Sequence, residues 1–322
     1  MTSYYEMTYR RLAVEDTEIF YRETHPKDAA STSPPILLLH GFPSTSHQYR
    51  ALMERLGGSF RMIAPDYPGF GQSTAPVSKK EGGTFEYSFD NLSRAIEAFI
   101  DTLGLTRVIL YIFDFGAPVG MRIATRRPEL IAGLIIQNGN CYDAGLSEAA
   151  KRLMSARPED PAVTAELSGL LTAEGVRFQY LTGTSRPERI MPDNYDLDLH
   201  YIEQPGRKQS QLDLLLDYKS NLPLYPQWQE WLRANVPPAL IVWGKNDPFF
   251  TPAGAQAYLD DLPNAHLQFL ETGHFALEEC LPQVASLIGQ FLAGFNARPP
   301  DVKLSVRKTR TISNFARLRD HR

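Results

Sequence analysis

Three ionisable residues, Asp114, Asp247 and His274, each follow a short apolar segment of this 322-residue chain. A carboxylate is already ionised at pH 7, and it can displace a leaving group from an sp³ carbon to give a covalent alkyl ester. A histidine oriented by a second carboxylate can then take a proton from the water that hydrolyses the ester. We therefore interpret Asp114 as the nucleophile, His274 as the general base and Asp247 as the acid that orients the base.

Each of these residues, taken alone, also fits an ordinary structural role. Asp114 is a suitable helix N-cap, Asp247 lies in a turn sequence, and a lone histidine is more often a surface or core residue. The catalytic interpretation depends on their conjunction, because the nucleophile, the acid and the histidine occur in this chain order after three candidate strands. Gly116 supports it, since glycine permits a close turn from strand to helix after the nucleophile.

The apolar segments that precede these residues predict a largely parallel sheet covered by helices. Short runs without polar residues, bounded by Pro and Gly, are typical of strands buried on both faces. Helical patterns at residues 91–103 and 119–127 alternate with them, and ligands of such sheets bind at the carboxyl ends of the strands. An early, antiparallel strand is expected near residues 18–22. The apolar runs are residues 36–39, 61–64, 108–113, 133–136, 239–243 and 266–270.

The alternation of strands and helices stops between about residue 140 and residue 226. Helical segments are expected there at residues 147–154, 162–171, 173–180 and 209–221. The stretch is too long for a simple connection within a compact sheet domain, which indicates an inserted helical cap. We expect a core domain of residues 1–139 and 227–297, a cap of residues 140–226 and a basic tail of residues 298–322.

Composition is that of an ordinary globular protein, with 43% hydrophobic and 22% charged residues and a net charge of −4. The tail has eight Lys/Arg and two Asp, a net +6, which leaves −10 on the rest. It is either a solvated terminus or a contact with an acidic surface. No signal segment or membrane span is evident, and two cysteines indicate no disulfide framework. We expect a cytoplasmic monomer or homodimer without metal, cofactor, nucleic acid or membrane partner.

Five motifs resemble the epoxide hydrolase and haloalkane dehalogenase branch of the α/β-hydrolases. The resemblance covers residues 22–292 and implies the α/β-hydrolase fold. It also implies that the backbone N–H groups of Phe42 and Phe115 bind the oxyanion of the tetrahedral intermediate. Ile112 stands where serine hydrolases usually have glycine, and an aliphatic residue there is similar to many dehalogenases with an Asp nucleophile. The motifs are His40-Gly41-Phe42-Pro43, residues 66–73, the Asp114 turn, Asn246-Asp247 and Gly273-His274-Phe275.

The leaving atom distinguishes the two reactions of this branch. A halide is best held by N–H donors, and the dehalogenases usually have Trp after the nucleophile and often Asn in the first loop. This chain has Phe115 and Phe42 at those positions. An epoxide oxygen needs a proton, which a tyrosine hydroxyl can supply. Residues 217–221 resemble the cap segment that carries such a tyrosine in epoxide hydrolases, which implies Tyr218 as the donor.

Most epoxide hydrolases have a second cap tyrosine, and three residues are candidates for it: Tyr180, Tyr195 and Tyr201. Asn138, which follows a strand, is a candidate for lining the site. The first hypothesis is an epoxide hydrolase acting on a small apolar or aromatic epoxide. The second is a haloalkane or haloacid dehalogenase with the same triad. The third is a binding protein or a non-hydrolytic biosynthetic cyclase, against which the intact triad argues.

Overall fold

A computed structural model describes residues 5–26, 33–154 and 160–296 of the chain. Eight strands form one sheet in the order β1-β2-β4-β3-β5-β6-β7-β8. The pairs β1–β2 and β2–β4 are antiparallel, and every other pair is parallel, so the prediction of a mostly parallel sheet is confirmed. The strands are β1 (Tyr5–Val14), β2 (Thr17–Pro26), β3 (Ile36–Leu39), β4 (Met62–Pro65), β5 (Val108–Phe113), β6 (Ile131–Gln137), β7 (Ala239–Gly244) and β8 (His266–Leu270).

The central strands are the ones that the apolar runs predict. All residues of β3, β4, β5 and β7 are buried, because helices cover both faces of the sheet. Strand β1 was not predicted. It is an edge strand with mostly exposed or half-buried residues, so it lacks the continuous apolar run that marks a central strand.

Helices flank the sheet in the predicted alternation. α3 packs against β3, β5 and α2, whereas the C-terminal helix α11 packs against β7 and α1. Ser88 caps α2, and its hydroxyl oxygen accepts the N–H of Asn91. The helices are α1 (Arg50–Leu56), α2 (Phe89–Thr102), α3 (Gly116–Arg126), α4 (Glu148–Met154), α5 (Pro161–Gly169), α6 (Ala173–Leu181), α7 (Pro192–Ile202), α8 (Arg207–Asp217), α9 (Tyr225–Asn235), α10 (Pro252–Asp261) and α11 (Ala276–Asn296).

Helices α4 to α8 all lie between β6 and β7, in the stretch where the strand pattern disappears from the sequence. They contact one another in the pairs α4–α5, α5–α8, α6–α7 and α7–α8. Helix α7 was not predicted. The division into core and cap stays a prediction, and its second boundary, at residue 226, falls inside α9, which packs on α3. The predicted basic tail, residues 298–322, lies outside the described residues.

Both cysteines, Cys141 and Cys280, are buried and free. Within residues 5–26, 33–154 and 160–296, no helix has the length and apolar character needed to cross a membrane.

Candidate active site

Asp114 lies on a tight turn between the end of β5 and the start of α3. Its φ angle is +48°, in the left-handed region that Asp and Asn tolerate better than other non-glycine residues. Two glycines make room for the turn. A Cβ atom on Gly116 would lie 2.2 Å from the carbonyl oxygen of Leu39, and one on Gly41 would lie 2.4 Å from the Asp114 Cβ. The turn therefore presents the Asp114 side chain at the carboxyl end of the sheet.

The two carboxylate oxygens of Asp114 have different partners. Oδ1 accepts the backbone N–H of Phe42 at 2.6 Å, whereas Oδ2 lies 3.6 Å from Nε2 of His274. Only 8% of the residue is exposed. Phe115, the other residue expected to bind the oxyanion, directly precedes α3 as its N-cap residue. The arrangement leaves Oδ2 as the oxygen available for attack.

His40 and Asp66, from two of the sequence motifs, hold the loop that carries Phe42. Nε2 of His40 accepts the Tyr67 N–H at 3.2 Å, and burial lowers the pKa of this histidine, which keeps it neutral. Asp66 accepts the N–H groups of Ser46 and Gln72 at 2.7 and 2.8 Å. Both residues therefore have structural contacts that fix the loop.

Asp247 contacts His274, the residue that the sequence predicts it to orient. Nδ1 of His274 lies 2.7 Å from Oδ2 of Asp247, and the other carboxylate oxygen accepts the N–H groups of Phe249 and Phe250. Asn138 adds a further contact, because its Nδ2 donates to Oδ2 of Asp247 at 2.7 Å. Asn138 therefore helps to fix the position of the Asp247 carboxylate. It does not line the cavity described below.

The protonation of His274 depends on the two carboxylates that it contacts. Burial is the largest influence and lowers its pKa, but the charges and hydrogen bonds of Asp247 and Asp114 outweigh burial and raise the pKa to about 10. The imidazole is therefore protonated at neutral pH while Asp114 is a free carboxylate. If Asp114 loses its charge, one of the causes that raise the pKa of His274 is removed.

We expect His274 to make stability depend on pH. Its pKa is about 10 in the folded chain, whereas 6.5 is the ordinary value for histidine, so the folded state binds the proton more tightly. This contribution is complete below pH 6.5 and is lost as the pH rises through about 10. Urea unfolding across this range should show a steeper fall in the free energy of unfolding for the wild type than for His274→Gln. The exposed His266 gives a control, since His266→Gln should keep the wild-type slope; equal slopes for all three proteins would contradict the expectation.

A small cavity lies over Asp114, and most of its wall is apolar. The polar residues among those that line it are Asp114, Gln179 and Tyr218. Phe42 and Phe115 stack with ring centroids 5.5 Å apart and flank the carboxylate. The other lining residues are Ala150, Leu153, Met154, Leu167, Leu170, Leu215, Phe249 and Phe250.

Tyr218 is 3% exposed and shares this cavity with Asp114. Its ring contacts Phe89 and Phe115 edge-on or tilted, at centroid distances of 5.5 and 6.2 Å. Burial, followed by the charges of Tyr225 and Asp114, raises the pKa of Tyr218 well above its usual value. The hydroxyl therefore keeps its proton in the resting protein, as a proton donor requires.

Arg122, in the second turn of α3, anchors the segment that carries Tyr218. Its guanidinium donates to Oδ1 of Asn221 at 2.6 Å and to the Ser220 hydroxyl at 3.2 Å. Asp217 completes the anchor by accepting the Phe89 N–H at 2.8 Å. Because α3 begins two residues after Asp114, one helix positions both the candidate nucleophile and the candidate proton donor.

The three candidates for a second cap tyrosine do not line the cavity. Tyr180 donates to Oδ2 of Asp198 at 2.5 Å and stacks on Phe275, with ring centroids 3.9 Å apart. Tyr195 packs edge-on against Tyr180, and the Tyr201 hydroxyl accepts a hydrogen bond from Gln72 at the surface. The residue type alone does not indicate which way a side chain points. In the fold, each of the three tyrosines contacts residues outside the cavity.

Sequence reasoning missed two residues of the site, Arg122 and Gln179. Arg122 follows Asp114 by about two helical turns, and this spacing on the helix that follows Asp114 was the available signal. Gln179 had no comparable signal, because a lone glutamine in a helix is ordinary.

Comparisons with known proteins agree with the fold. A family model described as alpha/beta hydrolase fold matches residues 34–280. An uncharacterised hydrolase of Saccharomyces cerevisiae is 38% identical over 286 residues, which cover 87% of this chain and 95% of that protein. Haloalkane dehalogenase 2 of Mycobacterium tuberculosis is 28% identical over 271 residues, covering 80% and 87% of the two chains.

The structure of the epoxide hydrolase CorEH without ligand has a TM-score of 0.69 and 19% identity. It covers 90% of this chain and 100% of its own, and at this identity the likeness concerns the fold alone. The chain therefore belongs to the α/β-hydrolase family, and a haloalkane dehalogenase is among the proteins that it resembles in sequence.

Proposed function

We propose that this hydrolase opens epoxides with water through a covalent ester on Asp114. The observation that carries the proposal is the composition of the cavity over the carboxylate. Tyr218 supplies an O–H donor there, and phenylalanines stand at both positions where N–H donors would hold a halide. The amide nitrogen of Gln179 is occupied by two backbone carbonyl oxygens, so it is not free to hold a leaving atom.

In the first step, Oδ2 of Asp114 forms a bond to an epoxide carbon while the bond from that carbon to the ring oxygen breaks. The electron pair goes to the ring oxygen, which takes the proton of the Tyr218 hydroxyl. Asp114 Oδ1 stays against the Phe42 N–H and becomes the carbonyl oxygen of the ester. Asp114 loses its charge in this step, so the pKa of His274 falls and the imidazole releases a proton, which restores the tyrosine.

In the second step, neutral His274 takes a proton from water, and the resulting hydroxide attacks Cγ of Asp114. The negative charge of the tetrahedral intermediate develops on Oδ1, where the Phe42 N–H donates; loss of one such donor typically costs about 3 kcal/mol of barrier. The intermediate collapses as the bond between Cγ and the alkyl-bearing oxygen Oδ2 breaks, and the leaving alkoxide takes the proton from His274. The carboxylic acid left on Asp114 then gives its proton to the neutral His274, which restores the carboxylate and the imidazolium. The products are a diol and the regenerated carboxylate.

The cavity also supports a proposal for the substrate class. A small cavity with leucine, methionine and phenylalanine walls suits a small apolar or aromatic epoxide. Burial of apolar substrate surface there contributes roughly 25 cal/mol per Å² to binding. We propose that no metal or cofactor takes part, since each step above uses a side chain or a backbone group of the chain itself.

Haloalkane dehalogenation is the second candidate, because the similar protein of Mycobacterium tuberculosis carries that name. The experiment that separates the two supplies the purified protein with a panel of terminal and aryl epoxides and a panel of chlorinated and brominated alkanes. Diol formation without halide release is the expected result. Halide release without diol formation would replace the proposal by the second candidate.

We expect Tyr218→Phe to lower kcat/KM for epoxides by about 10²-fold or more, because the ring oxygen then leaves without a proton. The removed hydroxyl is the one O–H group among the described residues that line the cavity. Steady-state diol formation measures the effect. Tyr195→Phe is the matched control, since Tyr195 lies outside the cavity, and it should keep wild-type activity. Equal rates for Tyr218→Phe and wild type would remove Tyr218 from the mechanism.

A further inference from the structure

A single buried glutamine interrupts the apolar wall of the active-site cavity. Gln179 lies on α6, is 2% exposed and lines the cavity together with Asp114 and Tyr218. Nothing in the two reaction steps requires an amide at this place. Burial of a polar group next to a dry, apolar ligand is costly unless the group finds a partner.

The contacts of Gln179 fix the direction of its amide. Nε2 lies 3.1 Å from the carbonyl oxygen of Gly175 and 3.2 Å from that of Leu170. A side-chain amide has two N–H donors and one carbonyl oxygen, and only the nitrogen is compatible with two carbonyl neighbours. Both donors are therefore used inside the protein, and the opposite orientation would place three oxygens together.

The side-chain carbonyl oxygen of Gln179 takes no part in these two hydrogen bonds. It accepts no hydrogen bond within the part of the chain that the structure describes. Protein atoms do not enclose it completely, so it keeps some accessible surface. Since the residue lines the cavity, this oxygen faces the space that a substrate occupies. It is a fixed hydrogen-bond acceptor in a wall of leucine, methionine and phenylalanine side chains.

We propose that Gln179 is a specificity-determining residue that selects epoxides with a hydroxyl or amide N–H group on their apolar part. A donor of this kind pairs with the carbonyl oxygen when the substrate displaces water from the cavity. A substrate without a donor leaves the oxygen desolvated and unpaired. That the substrate is an epoxide rests on the proposed function, whereas the preference for a hydrogen-bond donor applies to any ligand of the cavity.

The chain offers a matched control in Gln211 on α8. Gln211 is 1% exposed and does not line the cavity, and its carbonyl oxygen is enclosed and unpartnered. Gln179→Met and Gln211→Met make the same substitution at two buried sites, so the effects of the substitution on packing and solubility can be compared directly.

The test uses a series of ω-hydroxy 1,2-epoxyalkanes of increasing length, each paired with its methyl ether, which keeps the oxygen and lacks the donor. In the wild type, at least one alcohol should exceed its ether in kcat/KM by about 10-fold, the factor that one net hydrogen bond gives. Gln179→Met should bring this ratio close to one, and Gln211→Met should keep it. Because a general structural defect lowers both rates equally, the ratio reports the contact itself. A wild-type ratio near one along the whole series, or an unchanged ratio in Gln179→Met, would overturn the proposal.

A binding measurement separates this proposal from the proposed function. Dissociation constants of 1-alkanols and their methyl ethers are measured by calorimetry in Asp114→Asn and in the double variant with Gln179→Met. A preference for the alcohol that the double variant loses supports the Gln179 contact even where no epoxide is hydrolysed; absence of the preference overturns it. If Gln179→Met does not fold, Gln179→Asn replaces it, because the shorter chain withdraws the oxygen and keeps both N–H donors.

Discussion

Purified Asp114→Asn protein is expected to keep its fold and to lose epoxide turnover by about 10⁴-fold or more. An amide oxygen is neutral and attacks carbon far more weakly than a carboxylate does. The fold is expected to persist, because Asn tolerates the φ angle of +48° at this turn and can still accept the Phe42 N–H. Steady-state diol formation and thermal unfolding measure the two parts of the expectation.

The control for this variant is Asp260→Asn, which makes the same substitution at an exposed position on α10. It should match the wild type in activity and in unfolding midpoint. Full and persistent activity of freshly purified Asp114→Asn would rule out the covalent mechanism, whatever the other residues of the site do.

His274→Gln is expected to stop the reaction at the ester. Alkylation uses Asp114 and Tyr218, which remain in place, but hydrolysis lacks the base that lies 3.6 Å from Oδ2. One equivalent of epoxide should be consumed in a burst, with no further turnover. Intact-protein mass spectrometry should show an increase equal to the whole mass of the epoxide, because ring opening expels no atoms.

The mass of the adduct also discriminates between the two candidate reactions. A haloalkane would leave only its alkyl group on the protein and release the halide. The double variant Asp114→Asn/His274→Gln should carry no adduct, and His266→Gln, at an exposed site on β8, should turn over normally. Sustained diol formation by His274→Gln would show that another group activates the water.

The fold and the proximity of Asp114, Asp247 and His274 could be predicted because local sequence patterns indicate both. Strands buried on both faces must be short apolar runs, so β3, β5 and β7 were visible as such. Polar residues that directly follow parallel strands are brought to one edge of the sheet, which joins Asp114, Asp247 and His274. Strand β1 escaped prediction because an edge strand has one face in solvent and its residues are mixed.

The sequence by itself determined the central strands of the sheet, the proximity of Asp114, Asp247 and His274, and the tyrosine segment that Arg122 anchors. The tertiary structure decided which residues between β6 and β7 face the nucleophile. Gln179 and Tyr180 are neighbours on α6, and successive residues of a helix point about 100° apart. Gln179 therefore lines the cavity while Tyr180 stacks on Phe275. That choice depends on how α6 is rotated against its neighbours, and long-range packing sets this rotation.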